Sequence, residues 1–311
     1  MIRIRVPCST SNLGAGFDCI GLAFQRFLTI EYTAESAGQR GGAPGMWLVE
    51  PQGTAVGVGV GDDLITRTVV AELQRIGVAI PPGNVRVDSD IPLRRGLGSS
   101  AAATVGGLLL ARAITGDPDP DREELLQLAA SSEGHPDNVA PALLGGLVAI
   151  ARDVRDRFYA FRLPLSDQIG FAFAAPDVEV STPAARQALP QHIEFAAGVR
   201  TAGRMAALVH GLAGATPKLL RIGFSDELHV PYRLSLIPHA AEAFEAAVSA
   251  GAWAATISGS GSGLIAVCPR GRESAVAAAM AGALQVGQAS GEACSFEAVP
   301  ALTGATIQIE G

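Results

Sequence analysis

Alternation of apolar and polar positions predicts strands near Ile2–Val6, Phe27–Thr33, Met46–Glu50 and Val85–Ile91. In the first, Ile2, Ile4 and Val6 interleave with Arg3 and Arg5. The period then lengthens: Leu64, Ile65, Val69 and Leu73 recur at helical spacing, with Asp62 as the expected N-cap of a helix running to about Ile76. A second helix is expected over Ser99–Ile114, and a third after the turn Gly116-Asp117-Pro118-Asp119-Pro120, carrying Leu125, Leu126 and Leu128. The stretch Gly38–Gly45 reads as a mobile, glycine-rich loop.

Beyond Asn138 an apolar segment is broken at Gly145-Gly146 and continues as a strand to about Ile150. The charged run Arg152-Asp153-Val154-Arg155-Asp156-Arg157 is the expected domain boundary, dividing the chain into 1–155 and 156–311; a polar hairpin within one sheet is the alternative reading. After it come strands near Phe158–Leu163 and Ile169–Ala175 and a helical region from about Glu194 to Leu212. The rest reads as helix Pro238–Ala250, strands Trp253–Ser258 and Leu264–Val267, helix Arg272–Leu284 and strand Cys294–Val299. This is an α+β sandwich in outline, without internal repeats.

A length of 311 residues allows roughly two domains, and a hydrophobic content of 48% supplies a packed core. The net charge of −7 argues against a nucleic-acid partner. The uncharged run Ser274–Gly291 carries two glutamines and few large side chains, which suits a packed alanine-rich helix better than a membrane span. Four cysteines (Cys8, Cys19, Cys268, Cys294) lack metal-ligand spacing and are too few for a disulfide scaffold, so a cytoplasmic protein is expected.

The segment Pro92-Leu93-Arg94-Arg95-Gly96-Leu97-Gly98-Ser99-Ser100-Ala101-Ala102 joins a strand to a helix through two glycines and two serines. That order aims free backbone N–H groups and a positive helix end at one point, a site for a phosphate. It lacks the Gly-Lys-Ser/Thr of a Walker loop, and a plain glycine turn with a serine cap is the competing reading. Three other segments concentrate polar groups. Val6 to Asp18 carries Asn12 and Asp18, suited to an ammonium or hydroxyl group or, more simply, to an Asx turn. Ser132-Glu133-Gly134-His135-Pro136-Asp137-Asn138 packs five polar groups before an apolar run, and Glu133 is a candidate Mg²⁺ ligand. Ile257-Ser258-Gly259-Ser260-Gly261-Ser262-Gly263-Leu264 lies between strands, where a tight turn near a ligand or another domain fits better than a linker.

These segments, in this order, resemble the GHMP kinase superfamily, and in detail its branch that phosphorylates the amino acid L-homoserine. Pro92 to Ala101 is similar to the superfamily's ATP-phosphate loop, and Pro7 to Asp18, His135 to Pro141 and Ile257 to Gly261 are similar to the branch's other motifs. The resemblance spans residues 6 to about 267. It implies a two-domain fold, a ribosomal-S5-like N-terminal domain followed by a ferredoxin-like α/β sandwich, with the active site in the cleft between them.

It also implies ATP and Mg²⁺ as cofactors and transfer of the γ-phosphoryl group to the side-chain hydroxyl of L-homoserine, a step of threonine biosynthesis. Ser100 and Glu133 fall at its Mg²⁺ ligands, and Asn12, Asp18, His135 and Asn138 in its amino-acid pocket. Thr182 and Arg186 match its Thr-x-x-x-Arg element and Arg233 its second arginine; a guanidinium fork suits a substrate carboxylate. Asp137 is the carboxylate placed to act as general base, the alternative being a structural role with the proton passing to the phosphate. Asp63 stands where relatives often have asparagine near the adenine. A homodimer is what the resemblance suggests. Two rivals remain open at this stage: a kinase of the same superfamily acting on mevalonate, shikimate or a diphosphocytidyl sugar alcohol, and a non-catalytic nucleotide sensor.

Overall fold

The computed structural model describes residues 1–35, 47–54, 63–286 and 293–310. The expected loop Gly38–Gly45, the cap at Asp62 and Met46 lie outside the described residues. Among the described residues, eleven strands form two sheets. The first sheet has β1 (Ile2–Ser11), β2 (Ile20–Ala34), β3 (Leu48–Gly53), β4 (Gly83–Ser89), β5 (Leu147–Arg152), β6 (Phe158–Leu163) and β11 (Thr306–Ile309), in the order β11-β1-β2-β4-β3, with β5 on the start of β2 and β6 beyond it. Among the described residues only the β3–β4 pairing is parallel. Helices α1 (Leu64–Arg75), α2 (Ser99–Ile114), α3 (Arg122–Glu133) and α4 (Val139–Leu144) accompany this sheet. Asp63, not Asp62, caps α1: its carboxylate accepts from Thr66 N at 2.9 Å and Thr66 Oγ1 at 2.8 Å.

β1 explains how the cleft is furnished. Arg5 is exposed between the buried Ile4 and Val6, but past a register shift at Pro7/Cys8 every residue to Ser11 is buried. The strand leaves the sheet's surface and runs into the interior, so Ser9, Thr10 and Ser11 must find hydrogen-bond partners there. β2 starts at Ile20, well before the expected Phe27, because Ile20 to Phe24 are all buried and show no alternation to read.

The second sheet comprises β7 (Ile169–Ala175), β8 (Ala254–Ile257), β9 (Leu264–Pro269) and β10 (Cys294–Glu297), in the antiparallel order β10-β7-β9-β8. With α9 (Ala240–Ser249) before β8 and α10 (Glu273–Leu284) before β10, this is the βαββαβ arrangement of ferredoxin-like sandwiches. The alternation Phe171-Ala172-Phe173-Ala174 on β7 sorts its two faces: Ala172 and Ala174 join the cluster containing the alanine-rich α9 and α10, while Phe171 and Phe173 join the core of the first sheet. Phe24 of β2 meets Phe171 edge to face at 5.7 Å. Between β7 and α9 lie α5 (Thr182–Gln187), α6 (Phe195–Gly214), α7 (Pro217–Phe224) and α8 (Val230–Arg233), of which only a helix near α6 was legible.

The division expected at 155/156 is corrected by this topology. Residues 152–157 are the tip of the β5–β6 hairpin, closed by Asp153 N donating to Arg157 O at 3.0 Å, and β6 stays in the first sheet. That sheet is completed only by β11, which pairs with β1 from Ile2↔Ile309 to Arg5↔Thr306. Among the described residues no helix is long and apolar enough to cross a membrane.

Candidate active site

A cavity of about 850 Å³ opens between the two sheets' loops. One wall is the start of α2. Its N-cap, Gly98, has φ +63° and no side-chain cap, so the first N–H groups of the helix face the cavity unclaimed by a side chain. A side chain at Gly98 would place its Cβ 2.6 Å from Ser9 Oγ and 2.8 Å from Asn138 Oδ1, and one at Gly96 (φ +71°) would strike the Ser258 carbonyl. Only glycine fits either place. The loop is tied down from two directions, by Ser9 N donating to Leu97 O at 3.1 Å and Ser258 Oγ to Gly96 O at 2.7 Å, and Ser258 is itself held by a hydroxyl bond of 2.8 Å with Thr10. Arg94, at φ +56°, pairs with Glu179 at 2.7 Å, and Arg95 with Asp177 at 2.6 Å, so both arginines lean on the segment opposite. Leu97 is core, and Pro92 is half-buried.

Ser100 and Glu133 meet on the same wall. Ser100 Oγ donates to Glu133 Oε1 at 2.8 Å, and Thr104 Oγ1, one turn further along α2, donates to the same oxygen at 2.7 Å. Thr104 was invisible in the sequence, a single threonine inside an alanine-rich helix. Hard oxygens beside a helix start suited to phosphate also suit Mg²⁺, which needs few protein ligands when phosphates supply the others. Among the described residues no group of three or more acidic, histidine or cysteine side chains forms a self-sufficient metal site.

Adjoining this wall is a hollow of about 380 Å³ with apolar surface from Leu28, Val87, Ile91 and Leu93. Asp63 lines it but spends its carboxylate on the start of α1.

The opposite side gathers charge. His135 lines the cavity, and its Nδ1 lies 2.9 Å from the buried Asp137 Oδ1, which also accepts from Asn138 N at 3.1 Å. Burial works against both charged forms, yet each partner's charge and hydrogen bond outweigh it. The His135 imidazole is raised above its ordinary value and the Asp137 carboxyl held below its own. Asp137 is therefore committed to holding His135 and is a weak proton acceptor.

Arg186 reaches from α5 to form a two-pronged pair with Asp18, Nη1 to Oδ2 at 3.1 Å and Nη2 to Oδ1 at 2.9 Å. Arg233 is 2% exposed and has no carboxylate within ion-pair distance among the described residues; its Nε donates to Ala185 O at 3.0 Å and its Nη1 to Gly259 O at 3.3 Å. Burial first, then the positive charge of Arg186, pushes this guanidinium down to about 10. It lies over the Phe17 ring, 5.0 Å from its centroid, and the buried His229 stacks on that ring at 5.1 Å. A desolvated cation without an anion is costly unless a ligand supplies one.

Asn12 and Asn138 are in the neighbourhood but already engaged. Asn12 donates to Gly259 O at 2.9 Å and accepts from Asp18 N at 2.8 Å, which holds the turn bearing Asp18. Asn138 donates to Ser11 Oγ at 2.9 Å and accepts from Ser9 Oγ at 3.0 Å. Thr182 opens α5 with its hydroxyl 3.4 Å from Ser260 Oγ. Asn12, Asp18 and Arg94 are three of only six non-glycine residues with positive φ among the described residues, so backbone strain collects around this cavity.

The fold and the cavity together define a GHMP kinase. The family models "GHMP kinases N terminal domain" and "GHMP kinases C terminal" match residues 63–146 and 205–285. The homoserine kinase of Moorella thermoacetica is 39% identical, covering 91% of this chain and 92% of its own; that of Caldanaerobacter subterraneus is 40% identical, covering 86% and 83%. The crystal structure of homoserine kinase from Cytophaga hutchinsonii superposes with a TM-score of 0.82 at 25% identity, covering 99% of this chain and 97% of its own. A mevalonate kinase shares the fold, with a TM-score of 0.68 at 13% identity over 96% of this chain and 99% of its own. The chain belongs to the homoserine kinase family of the GHMP kinases.

Proposed function

We propose that this protein transfers the γ-phosphoryl group of ATP to the side-chain hydroxyl of L-homoserine, yielding O-phospho-L-homoserine and ADP. The observation that carries the reading is a cavity whose lining joins a helix start suited to phosphate with His135 and Thr182, and next to which, behind the lining, lie the Asp18–Arg186 pair and the buried Arg233. The base of the nucleotide takes the apolar hollow next to α1, and its phosphates lie against Gly96 to Ala101 and the start of α2. Ser100 and Glu133 would hold a Mg²⁺ ion there, which would neutralise phosphate charge.

On the acceptor side Arg233 and Arg186 take the amino acid's carboxylate and Asp18 its ammonium group, with His135 and Thr182 closing the pocket. Phosphoryl transfer has a loose transition state, so the residues act by positioning and charge rather than covalently. With Asp137 committed to His135, the hydroxyl proton passes to the transferred phosphoryl oxygen. Among GHMP kinases, acceptors such as mevalonate or shikimate carry a carboxylate but no ammonium group, and Asp18 beside two arginines favours the zwitterion.

An ADP-release assay over a panel of alcohols tests this. L-Homoserine should support turnover at least about 10²-fold above mevalonate or shikimate, the scale set by buried polar groups left unpaired. Equal rates, or none with any alcohol, would refute it.

A further inference from the structure

Several helical threonines dispose of their hydroxyls in the same way. Thr68 Oγ1 donates to Leu64 O at 2.7 Å, Thr201 Oγ1 to Ala197 O at 2.9 Å, and Thr115, at the end of α2, to Ala111 O at 3.3 Å. This back-bond to the preceding turn is the ordinary outcome for a helical threonine. Thr104, fully buried on α2, does otherwise. Its hydroxyl crosses to α3 and donates to Glu133 Oε1 at 2.7 Å.

Glu133 is awkwardly placed without that bond. It is the last residue of α3, before Gly134 closes the helix at φ +79°, and a carboxylate at a helix C-terminus faces the negative end of the dipole. Two hydroxyls compensate, both on one oxygen: Ser100 and Thr104 lie one turn apart on the same face of α2. Glu133 Oε2 receives no protein hydrogen bond among the described residues. Thr104 itself is fully buried, and the hollow beside it is lined by Leu64, Leu108 and Leu128 as well as by Arg67, Thr68 and Ser132. A polar group so buried is costly unless paired, and its partner here is the acidic side chain on the cavity wall.

We propose that Thr104 is a positioning residue for the divalent cation: it locks the Glu133 rotamer so that the carboxylate is presented to a metal shared with Ser100. Ser100 cannot do this alone. Once its oxygen is a metal ligand, its bond to Glu133 is altered, whereas Thr104 is too deeply buried to reach the cation and keeps its bond. The inference rests on the metal assignment given above, and the two fail separately.

The test is calorimetric titration of the full chain with ADP, in Mg²⁺ and in EDTA, for the wild type, Thr104→Val, Thr104→Ser and Ser100→Ala. In the wild type Mg²⁺ should strengthen ADP binding. Thr104→Val keeps the shape without the hydroxyl; it should lose about tenfold of that gain, the scale of groups that orient metal ligands. Its affinity in EDTA and its homoserine KM should stay within about twofold, and Thr104→Ser should restore the gain. If Thr104→Val keeps the full Mg²⁺ gain, or loses affinity equally with and without Mg²⁺, the positioning role is overturned. If the wild type shows no Mg²⁺ gain, or Ser100→Ala keeps all of it, the metal assignment itself is overturned.

Discussion

On the proposed function, the donor and acceptor halves of the site recognise charge by opposite means. The donor side uses the backbone, a helix start and two glycines in left-handed conformations, together with hydroxyl groups, while Arg94 and Arg95 are ion-paired with Glu179 and Asp177. The acceptor side uses buried side-chain charge, with Arg233 lacking a carboxylate and Asp18 bound two-pronged by Arg186. Backbone dipoles suit a polyphosphate, whose recognition needs many weak, oriented donors. A small zwitterion has two charges and little surface, so a few desolvated, fixed charges must do the selecting. The donor half therefore spreads its recognition over the backbone, and the acceptor half concentrates it in a few side chains.

That contrast can be broken most readily at Arg233. Arg233→Met should lower kcat/KM for homoserine by about 10²- to 10³-fold, since loss of one partner of a buried charge pair costs ~2–5 kcal/mol. Its KM for ATP should change by less than about threefold; steady-state kinetics in both substrates checks this. Asp18→Asn comes next, at about tenfold in homoserine KM, because a charge-assisted hydrogen bond at a half-exposed site is worth ~1.5 kcal/mol or somewhat more.

The acceptor side also sets a pH dependence of stability. His229, buried against Phe17, is pushed down to about 4, by burial first and by Arg233 besides, although Asp226 opposes the shift. The folded protein keeps this imidazole neutral while the unfolded chain protonates it below its ordinary 6.5, so stability is lost as pH falls from 6.5 towards 4. The slope from this one group is about 1.4 kcal/mol per pH unit. Denaturant unfolding at several pH values should show that slope, and His229→Leu should flatten it. The smallest effect is expected at Asp137: Asp137→Asn should keep kcat within about threefold, because a carboxyl held low and committed to His135 contributes little as a base. A fall of 10³-fold or more would restore it as the general base.

How much of this could be read in the sequence depended on which physical signal each part leaves. The α+β class and the helix opening at Ser99 were legible, since one-sided burial produces alternation or helical spacing. The start of β2 was not, because Ile20 to Phe24 are buried on both faces. Nor was the closure of the first sheet by β11, four residues whose pairing with β1 spans nearly the whole chain. The expected boundary at 155/156 failed because a hairpin tip and a linker have the same polar composition. Within the site, glycines and hydroxyls in close sequence marked the loop that opens α2 and lines the cavity. The separations Thr10 to Ser258, Asp18 to Arg186 and Thr104 to Glu133 leave no local pattern. Arg233 had only a resemblance to recommend it. Its significance is its complete burial without a carboxylate, which three-dimensional packing alone creates.

The measurement that tests the contrast most directly compares L-homoserine with L-homoserinol, which replaces the carboxylate by a hydroxymethyl group, in the wild type and in Arg233→Met. The wild type should prefer L-homoserine in kcat/KM by about 10²-fold or more, and Arg233→Met should shrink that preference to less than about tenfold while ATP affinity stays unchanged. An Arg233→Met variant that still discriminates as the wild type does, or that loses ATP affinity instead, would contradict the assignment of the buried charge to the acceptor.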